Sequence, residues 1–123
     1  MKFHSAVVEH LESIQKKDLS TLQHTLSSLS DISVIMPTGR LIRGYDDVRS
    51  MNQDWFNDPD WSFNFSIIKE EETSELGYAV VQVEYHDIDL NGVPYNKKYY
   101  LTLILRKIGP DWFLVHDQNT FTD

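Results

Sequence analysis

With 123 residues, 11 basic and 19 acidic side chains, the chain carries a net charge of -8, which repels phosphate backbones and anionic lipid and argues against nucleic-acid and membrane partners. The length suits one domain with an ordinary core, and the lack of cysteine removes disulfides, thiolate nucleophiles and cysteine zinc sites. Charged and polar residues interrupt every apolar run of the N-terminal MKFHSAVVEHLES, so no signal peptide is expected, no later segment approaches a membrane span, and a cytoplasmic protein is the expectation.

Phe3, Val7, His10, Leu11 and Ile14 follow the i, i+3, i+4, i+7 spacing of an amphipathic helix, with Glu9, Glu12 and Lys16 off the stripe, which predicts a first helix over about residues 2–16. Asp18 reads as the N-cap of a second helix carrying Leu19, Leu22, Leu26 and Leu29, closed by Asp31 after the serine-rich stretch 27–30. A short strand over 32–36, a turn at Pro37-Thr38-Gly39 and a return strand over 40–43 come next. Gly44 leads into a third helix over 46–57, with Val48, Met51, Trp55 and Phe56 as candidate core contacts, and Asp58-Pro59-Asp60 ends it.

From Trp61 onward the pattern is that of strands. Trp61, Phe63, Phe65 and Ile67 alternate with Ser62, Asn64 and Ser66, and residues 69–75 read as a charged, solvated hairpin tip. Ala79, Val81, Val83 and Tyr85 alternate with Val80, Gln82, Glu84 and His86, and Asn91-Gly92 signals the next hairpin. Tyr99, Leu101, Leu103 and Leu105 alternate with Tyr100, Thr102, Ile104 and Arg106 before the reversal at Gly109-Pro110-Asp111.

The final strand, Trp112 to Phe121, has the most to say about function. Strict alternation puts Phe113, Val115, Asp117, Asn119 and Phe121 on one face and Trp112, Leu114, His116, Gln118 and Thr120 on the other. If the face with Asp117 is interior, burying that carboxylate unpaired would cost on the order of several kcal/mol, so it calls for a donor, a water-filled pocket or a ligand. His86, Asp87 and Asp89 look like a metal cluster, but alternation splits His86 from both acids across the sheet, and no metal site is expected. There is no phosphate-binding glycine loop, serine nucleophile elbow or HExxH motif.

Helices first and long antiparallel strands after predict an α+β fold with helices covering one side of a curved sheet. This order resembles the nuclear transport factor 2 superfamily, and within it the SnoaL-like proteins, through VVEHLESIQKKDLSTL, MPTGRLIRGYDDV, NDPDWSF and YLTLILRKIGPDWFLVHDQNT, which together span nearly the whole chain. The terminal pattern also resembles the association domain of calcium/calmodulin-dependent kinases. The resemblance implies a single cone-shaped half-barrel, three helices on a mainly antiparallel sheet, and a homodimer through the outer sheet face. Such a dimer would account for the apolar Trp112, Leu114, Val80 and Ile104 expected on that face.

In the resembling steroid isomerases a helical tyrosine and a protonated aspartate form an oxyanion hole and a second aspartate is the base. Aligned on that pattern, this chain has His10, Leu103 and Met36 at those positions, so the isomerase reaction is not expected. What remains is His10 on the helical stripe and Asp117 on the strand face that the family turns inward. If they converge, the carboxylate would raise the His10 pKa and make a general acid or base, as in SnoaL-like cyclases. Asn119 could orient a ligand carbonyl, while Tyr99, Tyr85, Trp55, Trp61, Phe65 and Leu103 would form the wall of a ligand site. The plainer alternative makes His10 a core histidine, satisfies Asp117 through amide or tyrosine neighbours, and leaves Asn119 closing a backbone hydrogen bond. Three functions stay open: a pocket protein for a small apolar or carbonyl-containing ligand, a cofactor-independent lyase, isomerase or hydrolase, and a dimeric assembly module with a filled cavity.

Overall fold

The computed structural model describes residues 1–28 and 32–122. Its elements run α1 (Phe3–Gln15), α2 (Leu19–Thr25), β1 (Ser33–Ile35), β2 (Leu41–Arg43), α3 (Tyr45–Phe56), β3 (Ser62–Glu72), β4 (Leu76–Ile88), β5 (Pro94–Ile108) and β6 (Asp111–Phe121). The predicted α+β half-barrel, helices on one side of a curved sheet, is the observed fold. Strand order is β2-β1-β6-β5-β4-β3, with β1 parallel to β6 and every other pairing antiparallel.

The helical stripe is buried as expected: Phe3, Val7, His10, Leu11 and Ile14 face the sheet, joined by Ala6 and Ser13. Asp18 caps α2, accepting from the Thr21 amide at 3.1 Å and from its hydroxyl at 2.7 Å, and these bonds hold its carboxyl below the usual range. The second helix is shorter than its leucine spacing suggests. It ends at Thr25, and Leu26 turns extended and, buried, forms a bridge with Leu114 of β6. Leu29 and Asp31 lie outside the described residues. Gly44, at φ 89°, opens α3 in a backbone conformation a side chain would strain. At the other end the Trp61 indole donates to the Trp55 carbonyl at 2.7 Å, so one of the helix's last carbonyls is satisfied by a side chain.

Two bulges shape the sheet. One, at Ile68, lets β3 continue through Glu72, so the charged stretch is mostly strand and the tip shrinks to residues 73–75. The other falls in β6, where His116 pairs with Ile104 but Leu114 pairs with Leu105, leaving Val115 as the extra residue. The bulge reverses the phase of the strand. Trp112 and Leu114, expected on the outer face, turn inward with Asp117, Asn119 and Phe121, while Phe113 and Val115 lie half-buried on the other side. The outer face therefore carries Phe113 and Val115 in place of Trp112 and Leu114, beside Val80 and Ile104, which are half-buried.

The core sits between the helices and the inner faces of β3 to β6, with Leu11, Leu22, Leu103, Leu105 and Leu114 fully buried. At its closed end Phe3 meets Trp112 edge-on at 5.1 Å, and the ring lies so close to Gly77 that a Cβ there would come within 2.3 Å of it. No described helix is long and apolar enough to cross a membrane.

Candidate functional site

At the open end the side chains stop short of filling the cone and leave a cavity of about 250 Å³. Its wall is mostly apolar, drawn from Ile14, Leu26, Val34, Met36, Val48, Met51, Trp55, Phe63, Leu101, Leu114 and Phe121, with His10, Asn52, Tyr85, Tyr99, Asp117 and Asn119 as polar members. Few polar groups on an apolar concave surface is the usual character of a small-molecule site.

His10 and Asp117 border this one cavity from opposite layers, α1 and β6. No hydrogen bond joins them among the described residues. His10 is buried, and its Nδ1 lies 2.8 Å from the Thr25 hydroxyl. Desolvation pushes its pKa down to about 4, the reverse of the expected rise, because the ring is buried without an anionic partner. Its Nε2 has no hydrogen-bond partner.

Asp117 is half-buried, the exposed part lining the cavity, yet the surrounding protein still desolvates it and pushes its pKa up to about 7. One oxygen accepts from the Asn119 amide nitrogen at 2.7 Å, which partly offsets that rise. The same nitrogen donates to the Ile35 carbonyl at 2.9 Å and ties β6 to β1. Both protons of Asn119 are thus spent on the protein, and only its carbonyl oxygen remains to meet a ligand. The plainer reading holds for Asp117 and Asn119 to that extent.

Tyr99 is buried at the cavity wall, and burial, then Asp117 and Tyr85, holds its phenol protonated. Tyr85 donates to Asp87 at 2.6 Å and receives the Trp55 indole at 3.4 Å, and burial raises its pKa as well. Trp55 reaches the cavity. Trp61 does not: it is stacked behind Trp55 at 4.1 Å, with the Lys17 ammonium 4.1 Å from its ring centre. Phe65 packs against Phe63 farther along β3, and Leu103, wholly enclosed, sits across from Asp117 rather than on the cavity surface. Trp61 and Leu103 belong to the core and half-buried Phe65 packs against it, so none of the three joins the expected ligand wall. His116 faces outward and bonds Ser33 at 2.7 Å, while His86 bonds Asn96 on β5 and Asp87 takes the Tyr85 hydroxyl.

Thr25, Met51 and Asn52 escaped the sequence reading. Met51 reads from its spacing only as core, and Asn52 follows it on α3, its amide tied to the Val48 carbonyl at 2.9 Å. Ile14, one turn beyond His10, could have been found from the helical stripe. Thr25 meets His10 only through the packing of α2 on α1, for which the sequence carries no signal.

The SnoaL-like domain matches residues 4–122. The chain belongs to this family. No curated protein matches the sequence. Among solved structures, the SnoaL-like chain is similar to a candidate dehydratase of the NTF2-like family from Streptomyces avermitilis, with TM-score 0.81, 12% identity and coverage of 97% of this chain and 93% of that one. A ketosteroid isomerase-like protein from Erwinia carotovora atroseptica gives TM-score 0.82, 14% identity and coverage of 98% and 93%. A candidate calcium/calmodulin-dependent protein kinase type II association domain from Thiobacillus denitrificans gives 0.81, 13%, 99% and 96%. At these identities the likeness establishes the nuclear transport factor 2-like fold.

Proposed function

We propose that this SnoaL-like protein binds a small, largely apolar molecule carrying one or two oxygen functions in its open cavity, without a cofactor. The observation that carries this reading is an apolar cavity bordered by Tyr99, Asp117 and the ring of His10, whose buried Nε2 has no hydrogen-bond partner among the described residues. An unpaired buried polar group is costly, and natural proteins keep few of them without a use. The cavity's size suits one or two rings. A filled assembly module is disfavoured, because the aromatic residues expected to plug the cone leave it open. Homodimerisation through the outer face of β4 to β6 remains part of the proposal, and sedimentation equilibrium tests it: a concentration-independent monomer would remove it.

Binding is tested by titrating cyclohexanol, cyclohexanone and 2-naphthol while following fluorescence, since Trp55 borders the cavity. Saturable changes in wild type that disappear in Leu101→Trp, which fills the cavity, are the expected result. If no member of the panel binds, or filling the cavity changes nothing, the reading fails.

A second reading, acid–base catalysis, is favoured by Asp117. A carboxyl pushed up to about 7 is present in both protonation states near neutrality, so it can give a proton to a ligand carbonyl or take one from an adjacent carbon. The dehydratase and isomerase-like relatives make proton transfer the reaction class to try first. Turnover whose pH profile turns near 7 and is abolished in Asp117→Asn would support it, whereas unchanged turnover in that variant would remove Asp117 from the chemistry.

A further inference from the structure

We infer that Thr25 decides which nitrogen of His10 carries the proton, and that the cavity in consequence prefers ligands bearing a hydroxyl over ligands of the same shape without one. This rests on the ligand-binding reading above and gives it a chemical selectivity.

The inference starts from the end of a short helix. Leu22 lies in the last four residues of α2, so its carbonyl is among those the helix leaves without an amide partner, and the Leu26 amide goes to Gln23 instead, at 3.4 Å. The Thr25 hydroxyl fills the gap, donating to the Leu22 carbonyl at 2.6 Å. A hydroxyl has one proton, and a carbonyl cannot return one. Toward His10, 2.8 Å away, Thr25 can therefore only accept, so Nδ1 of His10 is the protonated nitrogen. In a neutral imidazole the other nitrogen is then a bare lone pair. Burial keeps the ring neutral well below pH 7.

That lone pair, on Nε2, is enclosed and has no partner among the described residues, although His10, only 3% exposed, borders the cavity. Nearby donors are occupied or fall short: the Asn119 amide serves Asp117 and Ile35, and the Tyr99 hydroxyl makes no bond to His10. A ligand hydroxyl would supply the missing donor, and its oxygen would stay available to Tyr99. A carbonyl or ether oxygen presented to Nε2 would set two lone pairs against each other, and a methyl group would leave the acceptor unsatisfied. With the opposite tautomer the preference would reverse toward acceptors. Thr25 is thus a positioning residue, acting through the ring it orients.

Phenol and toluene share shape and size and differ by one donor, so they serve as probes. With ring-15N histidine, the free protein should show Nδ1 of His10 at a protonated and Nε2 at an unprotonated chemical shift. Phenol should move the Nε2 signal toward the hydrogen-bonded range while toluene leaves it in place, with phenol binding about 10-fold more tightly. Thr25→Val should narrow that preference to within about 2-fold, and Thr25→Ser, which keeps the hydroxyl, should restore it. A protonated Nε2 in the free protein, or equal binding of the two probes without movement of the His10 signals, overturns the inference and leaves ligand binding standing. If neither probe binds and the cyclohexanol, cyclohexanone and 2-naphthol titrations are also flat, the cavity reading itself has failed. Should Thr25→Val not fold, the wild-type spectra and Thr25→Ser still decide the matter.

Discussion

The two ends of the cone share one sheet and helix α1 and are finished in opposite ways. At the closed end Phe3 fills the space between Trp112 and Gly77 so fully that even a Cβ would collide with it. At the open end the same helix presents His10, one nitrogen satisfied by Thr25 and the other by nothing, above a carboxyl whose pKa burial has pushed up to about 7. Close packing stabilises the first end, since every removed contact is lost outright. The second carries unsatisfied and desolvated polar groups, each of which subtracts from stability. The contrast sets a tightly packed base against a mouth that carries unpaired and desolvated polar groups, with α1 serving both.

The largest effect belongs to the base. Phe3→Ala should lower unfolding free energy by about 3–5 kcal/mol, seen as a fall in the urea midpoint at constant slope, because the site is clamped and cannot collapse onto the space left. Any loss under about 1 kcal/mol would mean that the closed end is not the structural anchor.

Next in size is Asp117, through pH. Burial pushes its folded pKa up to about 7 from the ordinary aspartate value of 3.8, so the folded protein holds the proton where the unfolded chain has released it. The sign follows: Asp117 costs nothing below pH 3.8, and stability is lost as pH rises from there to about 7. At ~1.4 kcal/mol per unit, reduced because water in the cavity reaches the group, the loss is about 2–4 kcal/mol. Asp117→Asn should therefore be more stable than wild type by that amount at pH 8 and equal to it at pH 3.5. His10, with its pKa lowered to about 4, destabilises both proteins alike as pH falls below 6.5, so it drops out of the difference. A pH-independent difference between the two would remove the desolvated carboxyl from the account.

Gly77→Ala comes third, at about 1–3 kcal/mol, since the added carbon meets the Phe3 ring, which Trp112 holds from another side. The pair Gly77→Ala with Phe3→Leu should be less than additive, because the smaller side chain relieves the collision. Additive losses would show that the two positions do not share that space.

How much of this was legible in the sequence depends on whether the signal was local. The helical stripe, the Asp18 cap and the alternation of β3 to β5 are written in spacing, and the structure follows them. Alternation kept Asp117 and Asn119 on one face, since both follow the bulge, and it was the family resemblance that turned this face inward, where both residues border the cavity. The same alternation misplaced Trp112 and Leu114, because one inserted residue at Val115 reverses a period-2 pattern and no residue there announces it. Trp61, Phe65 and Leu103 were assigned to the cavity because apolar character does not distinguish a residue on the wall from one behind it. The direction of the His10 shift was missed for a related reason: sharing a cavity with a carboxyl is not the same as touching it.

The smallest expected effect tests the open end directly. Met51 borders the cavity from α3 and is only half-buried, so part of its side chain already faces space rather than protein. Truncating a fully packed methionine to alanine costs about 2–5 kcal/mol, lost contacts plus the new void. At the cavity wall the void exists beforehand, and the change enlarges it without orphaning a second surface. Met51→Ala should thus cost under about 1 kcal/mol by urea unfolding while raising the size of ligand the protein accepts, with 2-naphthol gaining on cyclohexanol. If Met51→Ala instead costs as much as a core truncation, the mouth is collapsed around Met51 in solution, and the division between a packed base and an open site gives way to a cone closed at both ends.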